Sequence, residues 1–234
     1  MHNDLLDLVS WNGFKHVRGP VRGIVVRFHG LGSMNQKTAA EGIDHDWAAR
    51  GALVVEVYQD PWGWMNDPTR DLYDEVIDGL RKRHGLSDAL PLITTGGSMG
   101  GHAALAYTFR SRHRVTACQT NCPVCDLPFH YTERPDLPRT FLHAYGYEDI
   151  RERLVLRSPL HQVATMPDIP YQIIHGVLDQ AVGKARHSDP LVKVMRARGL
   201  TVEYREDAEM RHCSPMSYES HVRWGEFVLE QLRG

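Results

Sequence analysis

The fold is decided by residues 91–101, which read Pro-Leu-Ile-Thr-Thr-Gly-Gly-Ser-Met-Gly-Gly. Pro91 to Thr95 is an apolar, β-branched run typical of a strand, and a helical pattern follows from Gly100 to Arg110. Between them, Gly96-Gly-Ser-Met-Gly100 fits the pattern G-x-S-x-G. A serine on a strained strand-to-helix turn needs small neighbours on both sides, so Ser98 is predicted to be a nucleophile. An ordinary glycine-rich turn is the alternative interpretation.

Short β-rich runs and longer helical patterns alternate on both sides of this stretch. We predict strands at 23–28, 52–58, 91–95, 115–119, 171–174 and 200–204, and helices at 37–50, 69–84, 100–110, 189–198 and about 215–232. This order predicts an α/β fold with a mostly parallel central sheet and helices on both faces. A segment rich in proline and aromatic residues, at about 123–157, is too long for a simple connection and predicts a short cap insertion.

Composition limits the classes of protein that the chain can belong to. Its 234 residues fit one α/β domain spanning 1–234, and 42% hydrophobic with 24% charged residues disfavours disorder. The net charge of −2 gives no reason to expect a nucleic-acid partner. No apolar run reaches the roughly 20 residues that span a bilayer, so no membrane partner is expected. The amino-terminal residues resemble no secretory signal, and we expect a cytoplasmic location.

A serine hydroxyl becomes nucleophilic when a histidine accepts its proton and a carboxylate orients that histidine. Asp179 follows the predicted strand 171–174, and His212 follows the strand 200–204 by a short loop. Both therefore lie at the same sheet edge as Ser98. The alternatives are four acids and two histidines, namely Asp189, Glu206, Asp207 and Glu209, and His187 and His221.

An oxyanion needs backbone N–H donors, one from the residue after the nucleophile and one from an early strand-to-helix loop. These are predicted to be Met99 and Leu31, whose flanking glycines let the backbone approach the acyl group. Gly30-Leu-Gly32 also resembles the start of a dinucleotide fingerprint, but Asn35 stands where the third glycine would be.

Two further groups of residues have less specific patterns. Trp62 and Trp64 follow a strand at the active edge and are predicted to wall the substrate pocket, with core packing as the alternative. The four cysteines include one C-x-x-C, Cys122 to Cys125, which follows a strand instead of opening a helix. Free thiols are expected, and no metal site or cofactor is predicted.

Together these motifs resemble the α/β-hydrolase superfamily, in particular the catalytic domain of prolyl oligopeptidase. The resemblance runs from about Gly23 onward and rests on His29-Gly30, Gly96-Gly-Ser-Met-Gly-Gly101, Ser158-Pro159 and His175-Gly-x-x-Asp179, followed by His212. The chain has no room for the family's β-propeller, and Arg211 stands where a glycine often precedes the histidine.

The resemblance implies a cofactor-free serine hydrolase that works through an acyl-enzyme. Because the propeller is lacking, we expect an esterase with a small-molecule ester as its substrate. The alternatives are a small peptidase or amidase of the same type, and a hydrolase-fold protein that binds without catalysis.

Overall fold

A computed structural model of the chain describes residues 3–34 and 36–233. Its strands are β1 (Ser10–Asn12), β2 (Gly23–Phe28), β3 (Ala52–Val57), β4 (Leu92–Gly97), β5 (Ala117–Asn121), β6 (Tyr171–Gly176) and β7 (Val202–Asp207). Its helices are α1 (Asn3–Val9), α2 (Ile43–Ala49), α3 (Asp67–His84), α4 (Met99–Arg110), α5 (Leu127–Glu133), α6 (Leu137–Tyr145), α7 (Ile150–Arg157), α8 (Ser188–Ala197) and α9 (Tyr218–Gln231).

The strands form one sheet in the order β1-β3-β2-β4-β5-β6-β7. β1 pairs antiparallel with β3, and the other neighbouring strands are parallel. The predicted mostly parallel sheet is therefore confirmed. The short edge strand β1 was not predicted, because three residues are too few to show a periodic pattern.

Helices cover both faces of the sheet, which explains the unbroken apolar runs Ile24 to Val26 in β2 and Ala52 to Val55 in β3. Ile24 and Val26 of β2 pack in one hydrophobic cluster with residues of α3 and α4. Val25 between them points the other way, into a cluster that includes Trp47 of α2 and Phe227 of α9. Alternate side chains of one strand thus reach two separate cores.

Most predicted strands and helices differ from the observed bounds by one or a few residues, and the strand expected over 115–119 forms over Ala117–Asn121. Two of these differences have a clear physical reason. The helix expected over 37–50 begins only at Ile43, because Gly42 before it has a φ of 48°, outside the helical region. The strand expected over 200–204 forms over Val202–Asp207 instead. Its start is delayed because Leu200 donates its backbone N–H to Met195 and so belongs to the end of α8.

The expected cap segment contains α5, α6 and α7. Their apolar residues, among them Leu127 and Phe141, pack with Trp64, Met99 and Val182 from loops and helices at the carboxyl edge of the sheet. This small cluster places the three helices over the residue that follows β4. Across the described residues, no helix combines the length and apolar character needed to span a membrane.

Candidate active site

Ser98 lies on the turn between β4 and α4, with a φ of 57° and a ψ of −124°. A Cβ atom on Gly96 would lie 2.4 Å from the backbone oxygen of Gly100. A Cβ atom on Gly100 would lie 2.2 Å from the backbone oxygen of Phe28. Both glycines of the G-x-S-x-G pattern are thus required by close backbone contact, and the turn holds Ser98 in a strained conformation.

Three side chains predicted from the sequence meet at this turn. His212 Nε2 lies 2.9 Å from Ser98 Oγ, and His212 Nδ1 lies 2.7 Å from Asp179 Oδ2. An ionised carboxylate only accepts hydrogen bonds, so Nδ1 carries the ring proton and Nε2 has the free lone pair. The hydroxyl of Ser98 can therefore donate to Nε2.

The carboxylate of Asp179 is held in place by backbone groups as well as by histidine. Its Oδ1 accepts from the backbone N–H groups of Ala181 and Val182, each at 2.9 Å. Burial favours the neutral acid, but hydrogen bonds from His175, His212 and Val182 outweigh it and hold the pKa of Asp179 well below its usual range. Asp179 is therefore a fixed negative charge at neutral pH.

The charge of Asp179 changes the titration of its partner. Burial of the His212 ring opposes protonation, but the hydrogen bond to Asp179 and the nearby sulfur of Cys122 raise its pKa above the usual value. An imidazolium formed at this position is thus stabilised by the site.

The alternative acids and bases lie elsewhere. His187 directly precedes α8, Asp189 lies in its first turn, and His221 lies within α9. Glu206 is exposed and pairs with Lys184. None of these four side chains contacts Ser98 or His212 through a hydrogen bond among the residues described.

Asp207, another alternative acid, lies buried at the end of β7. Its Oδ1 accepts from the backbone of Glu209 at 3.2 Å, and its Oδ2 accepts from the backbone and the hydroxyl of Ser217, each at 2.8 Å. Ser217 in turn caps α9. One carboxylate therefore closes the loop that carries His212.

Of the two predicted oxyanion donors, Met99 directly follows Ser98 and Leu31 lines the same cavity as Ser98. Met99 is the first residue of α4, and the backbone N–H groups of Met99 and Leu31 have no acceptor within the described chain. The loop of Leu31 is tied down by Gly32, whose N–H donates to Pro61, and by the ring of His29, which contacts the carbonyl oxygens of Gly30 and Gln59. Within the described chain, both N–H groups are thus free to donate to a bound group.

A cavity of about 470 Å³ opens at Ser98. It is lined by Gly30, Leu31, Trp64, Gly97, Ser98, His130, Arg134, Val182, His212 and Cys213. This volume is within the range of small-molecule sites.

The two tryptophans behave differently from each other. Trp64 borders the cavity but is fully buried, with its Nε1 donating to Thr140 at 3.0 Å and its ring stacked on Phe141. Trp62 is absent from the lining and lies against His143 and Arg139. Trp64 thus agrees both with the predicted wall of the pocket and with the alternative, packing in the core.

Three solved structures with this arrangement of strands and helices have chains of different lengths. An acylaminoacyl peptidase superposes with a TM-score of 0.75 at 15% identity, covering 96% of this chain and 41% of that chain. A puromycin-hydrolyzing peptidase of Mycobacterium tuberculosis gives 0.69 at 18% identity, covering 92% and 33%. A lipase in its open form gives 0.67 at 15% identity, covering 96% and 93%.

The chain has the α/β-hydrolase fold. The resemblance to prolyl-oligopeptidase-type hydrolases predicted from the motifs is thereby confirmed by its structural neighbours. The chain spans well under half the length of the peptidases that it matches, and nearly the whole length of the lipase. No family model matches the sequence, and no curated protein matches it.

Several residues around the cavity at Ser98 were not predicted from the sequence. His130 and Arg134 come from the cap, where Asp126 accepts from the backbone of Phe129 and starts α5. The pattern Asp126-Leu-Pro128 is a helix-start signal that could have placed His130 on a helix, with Arg134 directly after the end of that helix. It could not have shown that this helix lies over the pocket, since that depends on packing.

All four cysteines are free, as expected. Cys118, Cys122 and Cys125 are buried, and Cys213 is exposed beside His212. In the described part of the chain, no group of three possible metal ligands contains both members of the C-x-x-C pair.

Proposed function

We propose that the chain is a serine hydrolase that cleaves carboxylic esters through an acyl-enzyme. The observation that carries this proposal is the hydrogen-bonded series from Asp179 through His212 to Ser98. Its geometry is that of a nucleophile, a general base and an orienting acid.

In this mechanism Ser98 Oγ attacks the ester carbonyl while its proton passes to His212 Nε2. Asp179 fixes the Nδ1–H tautomer and stabilises the imidazolium. The N–H groups of Met99 and Leu31 donate to the developing oxyanion. His212 then gives its proton to the leaving alkoxide, and water activated by the same imidazole hydrolyses the acyl-enzyme.

Several features support a small ester as the substrate. The cavity is open toward solvent and has the size of a small-molecule site, with Trp64 and Leu31 as apolar walls. Esters also have better leaving groups than amides, so a serine without a specialised proton donor for an amine cleaves them first. We propose that Trp64 forms part of the wall that faces the acyl or leaving group. Trp62 does not line the cavity, so the same role is not proposed for it.

A small peptidase or amidase is the second candidate. It is favoured by the structural neighbours, several of which are named peptidases. The two candidates differ in the ratio of kcat/KM for p-nitrophenyl acetate to that for a dipeptidyl amide. A ratio above one supports the esterase, and a ratio below one would replace it by the peptidase.

Fluorophosphonate labelling separates an enzyme from a binding protein of the same fold. We expect the native chain to be labelled at Ser98 and to hydrolyse p-nitrophenyl acetate. Ser98→Ala should lose both properties while its circular dichroism and thermal unfolding stay unchanged. Ser87→Ala, at an exposed turn where the serine hydroxyl accepts from the backbone of Ala89, is the matched control and should retain both. Equal labelling of Ser98→Ala and native protein would refute the assignment.

A further inference from the structure

Two thiols and one imidazole converge beside the serine. Cys122 follows β5 and is buried, while His212 and Cys213 come from the loop after β7 and line the cavity. The two sulfurs and one ring nitrogen of His212 lie within 4.8 Å of one another. Neither sulfur is in a disulfide, and the contact of Cys213 Sγ with the Asn121 carbonyl is a weak one at 3.8 Å. This group has three donors that a soft metal ion prefers.

The tautomer of His212 suits metal ligation. Asp179 occupies Nδ1, so the lone pair is on Nε2, where only the hydroxyl of Ser98 donates within the described structure. A carboxylate on the far nitrogen is the arrangement that orients histidine ligands in metal sites. The same contact that prepares His212 to accept a proton therefore prepares it to bind a cation.

The distance between the two sulfurs allows both to bind one ion. Zn–S bonds of about 2.3 Å with a tetrahedral angle place two sulfurs about 3.8 Å apart. From a separation of at most 4.8 Å, the required shift is about 1 Å. Cys213 is exposed and can supply that movement.

Two other groups of possible ligands in the described residues lack free donors. In the first, His187 Nδ1 accepts from the backbone N–H groups of Cys125 and Asp126, so its Nε2 carries a proton and faces Glu133. A protonated nitrogen cannot ligate a metal.

In the second group, which also contains Cys122, both nitrogens of His175 are engaged, by Ser188 and by the Val182 carbonyl. Asp179 in the same group already accepts from two backbone N–H groups and from His212, and its Oδ2 lies 3.4 Å from His175 Nε2. This leaves the group formed with Cys213.

We propose that Cys122, His212 and Cys213 form a binding site for Zn²⁺ or a similar thiophilic divalent ion, and that binding inhibits the hydrolase. The ion forms bonds to two thiolates and to His212 Nε2, and two thiol protons are released to solvent. Nε2 then has no lone pair for the proton of Ser98. The binding step is independent of the proposed function, whereas the inhibition rests on it.

Binding is tested first with Cd²⁺, whose bonds to thiolate give an ultraviolet charge-transfer band, and with Zn²⁺ by calorimetry. At a pH above the raised pKa of His212, we expect one ion per chain and release of the two thiol protons, measured as a dependence of the binding heat on the buffer. Cys122→Ser and Cys213→Ser should each weaken binding by at least about tenfold, the lower end of losses at metal sites. Cys118→Ser, in the buried strand β5, is the matched control and should bind as the native protein does.

Ser98→Ala distinguishes a failed site from a failed hydrolase assignment. It should bind Cd²⁺ as tightly as the native chain, since the hydroxyl is not a ligand. Hydrolysis and fluorophosphonate labelling should fall with Zn²⁺ in the native chain and recover with EDTA. Each cysteine variant, compared with its own metal-free rate, should resist the ion. Native affinity in both cysteine variants, or equal loss of affinity in Cys118→Ser, would overturn the site.

Discussion

Replacing Asp179 by asparagine is expected to lower kcat by about four orders of magnitude while leaving the fold intact. The backbone N–H groups of Ala181 and Val182 require an acceptor at Oδ1, which fixes the amide oxygen toward them. The amide nitrogen then faces His212 and donates to Nδ1. The ring proton moves to Nε2, and His212 can no longer accept a proton from Ser98.

The magnitude follows from this change of tautomer. The same substitution in another serine hydrolase with this geometry lowers kcat about 10⁴-fold. At about 1.36 kcal/mol for each factor of ten, the barrier rises by about 5.4 kcal/mol. The loss should appear in kcat for p-nitrophenyl acetate and in the rate of fluorophosphonate labelling.

Matched variants test whether Asp179 is the acid. Asp189→Asn and Glu206→Gln remove carboxylates that pair with Lys184 and do not contact His212, so both should keep kcat within about tenfold of the native value. Circular dichroism confirms that each variant is folded. If Asp179→Asn keeps near-native kcat, or Glu206→Gln loses it, the orientation argument is wrong.

Three further predictions follow from the site. Because Asp179 raises the pKa of His212 and the free base is the active form, kcat/KM should rise with pH through a pKa above about 6.5; a midpoint below that value contradicts the assignment. Gly100→Ala should remove labelling and cost at least about 1–3 kcal/mol of stability, while Gly183→Ala, where a Cβ meets nothing within 4 Å, should cause neither change. Trp64→Ala should raise KM and destabilise the fold by about 3–5 kcal/mol because the ring is buried; an unchanged Tm would contradict this.

The sequence predicted the sheet and the turn at Ser98 because both depend on local patterns. The strands contain short apolar or β-branched runs, and the glycines beside Ser98 are required by contacts within a few residues of the turn or with β2. Asp179 and His212 were predicted from their positions after strands, since parallel strands end at one edge.

The remaining features depend on packing between distant segments. Nothing in the sequence around Cys122 or Cys213 indicates that β5 and the loop after β7 bring their sulfurs together. Trp62 and Trp64 have similar surroundings in the sequence, yet only Trp64 turns toward the cap and the cavity. The buried position of Asp207 depends on its contact with Ser217, ten residues later.

The contacts of Asp207 also bear on how the rim of the pocket can change. Residues 208–216 form a loop whose two ends are held together by the hydrogen bond from the Ser217 backbone to the Asp207 side chain. Helix α9 begins directly after this loop. Doubling the length of such a loop costs only about 0.6 kcal/mol of loop-closure entropy. The contact between Asp207 and Ser217 would still hold the start of α9 in its position against the sheet. Insertions after the exposed Pro215 should therefore be tolerated by the fold. Natural variation or directed evolution can accordingly reshape the entrance beside Cys213 while the scaffold beneath it stays the same.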